Sequence, residues 1–186
     1  MVDRQEIEAA MASVIRAIGE DPAREGLQDT PRRVARMYED FFSGLCQDPS
    51  AVLTTGFDES HQEIVLLKDI PFFSICEHHF LPFYGIAHIG YIPCGRVVGA
   101  SKLARTLDIL AHRPQIQERL VNQLVETIFE ALKPEGVAAV ISAEHLCMSL
   151  RGVKKPGAKI VTTASRGNFS TVAATKQEFL ALLREA

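Results

Sequence analysis

Cys76-Glu77-His78-His79 sets a thiol, a carboxylate and two imidazoles in consecutive positions, between apolar runs at 70–75 and 80–83. In a tight turn, positions three apart come to one side. Cys76 and His79 can then present a sulfur and a ring nitrogen at metal-bonding distance, while His78 points elsewhere. Downstream, His145 and Cys147 stand two apart on an expected strand, so both project from one face. If that strand lies beside the turn, Cys76, His79 and Cys147 form a ligand set with His145 next to the metal but off it. Three protein ligands leave the fourth position of a zinc ion to water, the pattern of a catalytic site, and such water ionises near pH 7. Hydrolysis is the chemistry that follows, with His78 and His145 suited to moving protons. The plainer alternative makes the cysteines small buried hydrophobes and the histidines satisfied core residues. A Cys76 to Cys147 disulfide is a further possibility on oxidation.

Ser101-Lys102-Leu103-Ala104-Arg105 opens an expected helix with Ser101 as N-cap. Free amides and two cations on one face make it an anion site by geometry and charge. Arg151, with Lys154 and Lys155 close behind, follows the His145 to Cys147 strand and can close on the same anion; a phosphate chain is the ligand expected. Solvated surface cations are the ordinary alternative. Gln117-Glu118 falls in the first turn of a long expected helix. Glu118 favours that helix through the macrodipole. Its carboxylate can also accept the ring N–H and exocyclic amine of a guanine.

These groups need a scaffold, and 186 residues with 47% hydrophobic and 23% charged content describe one ordinary globular domain with a real core. Ile7, Met11, Val14, Ile15 and Ile18 have the helical period, and Thr30-Pro31 starts a second helix carrying Val34, Met37, Tyr38, Phe41 and Phe42. Arg32 and Arg33 in its first turn oppose the helix dipole. Residues 45–62 read as loop, 63–70 and 84–92 as strands, and 96–98 as a short strand. Helices follow from Ser101 and from about Gln115, strands over 137–148 and 158–165, and a last helix over 175–184. The division expected is an N-terminal helical region, 1–62, and a catalytic region, 63–186. The order argues for an α+β fold, a four-stranded antiparallel sheet with helices on one face. Its two open edges invite oligomerisation. A net charge of −3, no signal-type N-terminus and no long apolar run point to a cytoplasmic protein with no nucleic-acid or membrane partner.

The motifs Asp29-Thr30-Pro31-x-Arg33-Val34, Cys76-Glu77-His78-His79, Gly99 to Arg105, Gln115-x-Gln117-Glu118-Arg119-Leu120 and Glu144-His145-x-Cys147-Met148-x-x-Arg151-Gly152 together resemble GTP cyclohydrolase I. The resemblance implies the tunnelling fold and a toroidal homo-oligomer, two stacked pentamers with active sites between subunits. It implies GTP as substrate, formate and 7,8-dihydroneopterin triphosphate as products, and a place at the entry to tetrahydrofolate or biopterin synthesis. It makes Cys76, His79 and Cys147 the zinc ligands and puts His78 and His145 in proton transfer. Glu118 with Gln117 would hold the guanine, and Ser101, Lys102, Arg105 and Arg151 the ribose and triphosphate. Arg33 would come from a neighbouring subunit. Two rivals remain at this stage: a related tunnelling-fold enzyme acting on another pterin or a deazapurine, and a non-catalytic zinc or redox protein.

Overall fold

The computed structural model describes residues 2–184. Asp3 caps α1 (Arg4–Ala17), accepting from the Glu6 amide at 3.1 Å. In α2 (Thr30–Phe41) the N-cap is Asp29, so Thr30 sits one residue inside the position expected for it. Asp29 also answers the misplaced cations of that first turn, meeting Arg32 at 3.0 Å and Arg33 at 3.6 Å. The stretch expected as loop holds two 3-10 turns and β1 (Gly56–Asp58), paired antiparallel with β4 (Arg96–Val98).

The main sheet has β2 (Val65–Cys76), β3 (Pro82–Ile92), β6 (Gly136–His145) and β7 (Lys159–Gly167) as antiparallel neighbours in that order. A fifth, two-residue strand, β5 (Pro114–Gln115), adds parallel pairing at the end of β2, which the expected four-stranded sheet lacked. β2 is longer than the strand expected over 63–70. It passes an irregularity between Leu67 and Ile70, with Asp69 at φ 56°, and continues to Cys76.

Two helices, α3 (Ala100–Ala111) and α4 (Gln117–Leu132), cover one face. Leu103, Leu107, Leu120, Leu124 and Ile128 pack there with Val137, Ala139, Ile141 and Ala143, all fully buried. The other set of β6 positions faces a smaller cluster in which Ala138 meets Phe169 of α6 (Asn168–Thr171) and Phe179 of α7 (Ala173–Arg184). Helices therefore cover part of both faces, not one. The reason lies in the sheet: Gly90 has no side chain, and a Cβ there would sit 2.7 Å from the Phe179 ring that takes its place.

The structure departs from the expected elements at two places near the candidate residues. β6 ends at His145, and Leu146–Ser149 forms a helical turn, α5, so Cys147 is not on the strand. The ladder runs out there: Glu144 is the last β6 residue opposite β7 and His145 the last opposite β3, and the next backbone bond closes the helical turn, the Leu150 amide donating to Leu146 O at 3.0 Å. α3 begins at Ala100 with Gly99 as N-cap, which puts Ser101 inside the first turn and not at the cap.

Gly85 of β3 lies tight against β6; an added Cβ would overlap Ser142 O and lie 2.6 Å from Ala143 Cα. Gly85→Ala is expected to cost about 2–3 kcal/mol through overpacking. Thermal denaturation would show this as a fall in Tm of roughly 5–10 °C.

Candidate active site

β2 delivers Cys76 to a turn closed by the Cys76 amide donating to Leu81 O at 2.9 Å and the Phe80 amide to Cys76 O at 2.8 Å. Phe80 is at φ 52°, and its ring packs against Tyr38 of α2 and Phe42 at that helix's C-cap, at centroid distances of 6.4 and 5.7 Å. The turn is thereby pinned to the N-terminal helices. His78 and His79 are exposed on it, their rings nearly perpendicular at 87°, so they face different directions. The β3–β6 register pairs Phe83 with His145 and brings α5 beside the turn. Donor atoms of Cys76, His79 and Cys147 all lie within 4.8 Å of one another, the one such group among the described residues. The helical turn does what the expected strand was to do.

Sulfur and imidazole donors suit zinc, whose tetrahedral shell sets such atoms about 3.5–3.8 Å apart. Small side-chain rotations span the difference. Burial pushes the Cys147 thiol up, and the adjacent Cys76 adds to that, while the charge of Arg151 works the other way. Two thiolates this close repel, and a divalent cation between them reverses the penalty. The donor set therefore fits a metal.

His145 is buried beside this group, its ring stacked on Phe83 at 4.5 Å and 3°. Its Nε2 lies 2.9 Å from Gln117 Oε1. The orientation of that amide is fixed, because the two hydrogens of Gln117 Nε2 are shared among Ile141 O at 3.1 Å, Ile160 O at 2.9 Å and Thr162 Oγ1 at 3.0 Å. Carbonyls only accept, so Gln117 Oε1 must face the histidine, and His145 Nε2 must carry the proton. Nδ1 is left as the ring atom free to exchange one. Burial lowers the His145 pKa, with the charge of Glu118 opposing. The shift favours the neutral imidazole.

Glu77 leaves the turn in another direction and takes Arg119 in a two-pronged ion pair, at 2.5 and 2.9 Å. That hydrogen bonding holds the Glu77 carboxyl below its usual range. With the Glu77 amide donating to Gln115 O at 3.0 Å, it joins the cysteine turn to the start of α4. Glu118, exposed, lies between Gln117 and Arg119. Sequence reasoning missed the Gln117–His145 bond, the Phe83 stack and the Arg119 pair; each joins residues far apart in the chain. Gln117 was expected to contact a purine, yet its side-chain amide is spent inside the fold.

The anion-binding candidates divide. Arg151 follows α5 and is near enough to Cys147 for its charge to act on the thiol. Ser101, Lys102 and Arg105 are elsewhere. The C-terminal end of α3 is beside the metal end of the sheet, where Ser74 Oγ donates to Ala111 O at 2.6 Å. Ser101 lies about 15 Å back along the helix. It follows Val98, whose amide donates to the Tyr91 hydroxyl at 3.0 Å, and Tyr91 pairs with Val65 at the opposite end of β2. Arg33 is at the N-terminal end of α2, 71% exposed and beside Asp29.

A family model described as GTP cyclohydrolase I matches residues 7–184. The chain belongs to the GTP cyclohydrolase I family. The GTP cyclohydrolase 1 of Carboxydothermus hydrogenoformans is 59% identical over 184 residues, 98% of this chain and 96% of that protein. Those of Dehalococcoides mccartyi and Halalkalibacterium halodurans are each 55% identical, covering 100% and 98% of this chain and 99% and 98% of their own length. Among solved structures, apo archaeosine synthase QueF-Like overlaps 56% of this chain and 94% of its own, with TM-score 0.45 and 21% identity. Among the described residues, no helix is long and apolar enough to cross a membrane.

Within this family member, zinc titration of the chelator-treated protein should reach about one ion per chain. Cys76→Ala or Cys147→Ala should abolish it. Arg119→Ala should keep the stoichiometry and weaken affinity by up to about tenfold, since the turn loses its side-chain tether.

Proposed function

We propose that this chain converts GTP to 7,8-dihydroneopterin triphosphate and formate, with Cys76, His79 and Cys147 holding a zinc ion. The observation that carries the reading is the meeting of those three donors beside a buried histidine whose tautomer is fixed. A zinc ion held there would supply Lewis acidity and a water ionised near neutral pH for hydrolysis at the guanine imidazole carbon. His145, neutral and protonated on Nε2, exchanges a proton with the substrate through Nδ1. Gln117 holds that ring in place through its amide. His78, on the exposed side of the turn, is the second proton carrier. Glu118 accepts the ring N–H and exocyclic amine of the guanine. Being next to Gln117, it ties the position of the base to that of His145.

Ring opening yields a formamide, its hydrolysis releases formate, and the ribose rearranges and closes onto the freed amine. Ser101, Lys102, Arg105 and Arg151 hold ribose and triphosphate. A phosphate cluster favours GTP over the pterin and deazapurine substrates of related enzymes. The half of it on α3 stands at the opposite end of the sheet from Cys76, so a complete site draws α3 from a neighbouring copy. The tunnelling fold supplies that neighbour, as edge-joined sheets in a toroidal decamer of two pentamers, with Arg33 also from a neighbouring subunit. The product enters tetrahydrofolate or pterin synthesis in the cytoplasm.

Incubation with GTP should release formate and a pterin that fluoresces after oxidation; absence of both from zinc-loaded protein would rule the proposal out. His145→Ala and Lys102→Ala should each be inactive alone, with zinc retained. Co-assembled at equal amounts, they should recover activity at about a quarter of the sites, since random mixing leaves that share with both halves intact. No recovery would mean the two halves belong to one chain.

The direction of the His145 shift fixes a pH dependence. Burial disfavours the imidazolium, so the neutral ring persists as pH falls through the ordinary histidine value of about 6.5. The part of the acid limb of kcat/KM that His145 contributes is expected below that value. Gln117→Leu removes the acceptor that fixes the tautomer and should lower kcat by at least about tenfold with zinc content unchanged.

A further inference from the structure

Glu144 adjoins His145 on β6 and projects from the opposite face. Its Oε1 accepts from Ser149 Oγ at 2.5 Å and from the Gly157 amide at 3.0 Å, and the Tyr84 hydroxyl donates to Oε2 at 3.5 Å. One carboxylate thus joins the last residue of α5 to a residue just before β7. The segment between them carries Arg151, Lys154 and Lys155.

Little else fastens that segment. Its apolar residues are outside, Leu150 at 67% and Val153 at 62% exposure. Its backbone bonds are few: Leu150 to Leu146 O at 3.0 Å and Lys155 to Met148 O at 3.1 Å tie it to α5, and the two within it, Lys154 to Arg151 O and Ala158 to Lys155 O, are long at 3.3 Å. Gly152, Lys154 and Gly157 all have positive φ, at 63°, 49° and 81°, a backbone path that a non-glycine residue resists at Lys154. Hydrogen bonds to a carboxylate are the strong kind.

We propose that Glu144 is a positioning residue: it latches the cationic loop 150–158 in the conformation that receives the substrate's phosphate chain, and so governs affinity without touching substrate. The inference rests on the proposed GTP reaction and on Arg151 as a phosphate contact. Released from the latch, the loop must be ordered at each binding event, which weakens binding, while His145 stays on the strand end, Cys76 and His79 on their turn, and Cys147 on α5, whose own bond from the Leu150 amide to Leu146 O at 3.0 Å does not involve Glu144.

Steady-state kinetics of Glu144→Gln test it. The variant keeps the shape and loses the charge. KM for GTP should rise about tenfold, with kcat altered by less than about twofold. Competitive inhibition by inorganic triphosphate should weaken in parallel, with zinc content unchanged. Ser149→Ala, a milder change at the other end of the latch, should raise KM less, and the double variant should be no worse than Glu144→Gln alone. An unchanged KM in both single variants, additive effects in the double variant, or a fall in kcat tracking lost zinc would each overturn the latch. Arg151→Ala separates this from the underlying reading. If triphosphate inhibition survives that substitution, the loop is no phosphate site; if Arg151→Ala weakens it and Glu144→Gln does not, only the latch fails.

Discussion

Two sulfurs from distant parts of the chain meet at one point, and a single pairing register makes that meeting possible. β3 is the intermediary, with Pro82 opposite Ile75 on one side and Phe83 opposite His145 on the other. A slip of one residue would turn every side chain to the other face and carry the cysteines apart. What prevents the slip is apolar. Ala87, Ile89 and Tyr91 on β3, with Val137, Ala139 and Ile141 on β6, have no exposed surface. Exposing the larger of these side chains costs about 1.5–3 kcal/mol each, so a misregistered sheet loses on the order of 10 kcal/mol. A single hydrogen bond contributes only about 1 kcal/mol. The core thus sets the geometry of the polar site.

The polar groups then divide by burial. Gln117 is 1% exposed, and its amide would be costly if left unsatisfied, by about 1–3 kcal/mol for each stranded group. Bonds to Ile141 O, Ile160 O and Thr162 Oγ1 from one end of the amide leave only His145 for the other. A buried amide with one allowed orientation is a rigid way to choose a tautomer. The Glu77–Arg119 pair is different: its side chains keep 31% and 40% exposure, so water competes with it. It trims the attitude of the turn without setting the fold.

The helices and antiparallel strands were legible because apolar spacing follows the geometry of the elements, as in the stripe Leu120, Leu124, Ile128 of α4. The metal-binding candidates were legible because soft and basic side chains in one tight cluster have few other uses. Ends were less so. Alternation continues through His145 to Cys147, but a ladder stops where its partner strands stop, and no local pattern records that. Ser101 looked like a cap because serine often is one, yet Gly99 takes the position without a side-chain bond. Gln117 presented a polar residue at a helix start, and its burial depends on β6 and β7, which follow it in sequence. The placement of α7 on the second face depended on a glycine across the sheet, a fact about contact and not about pattern.

Both outer strands bear on assembly. Among the described residues, β7 pairs on one side only, and β2 has β5 beside it at Ile75 and Cys76 alone. Open edges of this length carry unpaired amides and carbonyls that a monomer must leave to water or cover. The phosphate-binding candidates pose a second demand, because Ser101 and Lys102 stand a helix length from the metal end. In the proposed assembly, strand pairing between copies answers the first, and a neighbouring copy's α3 answers the second. A chain that kept its edges closed would need a further element to bring those cations round. In the proposed ring, the backbone groups that would promote aggregation become the means by which the site is completed.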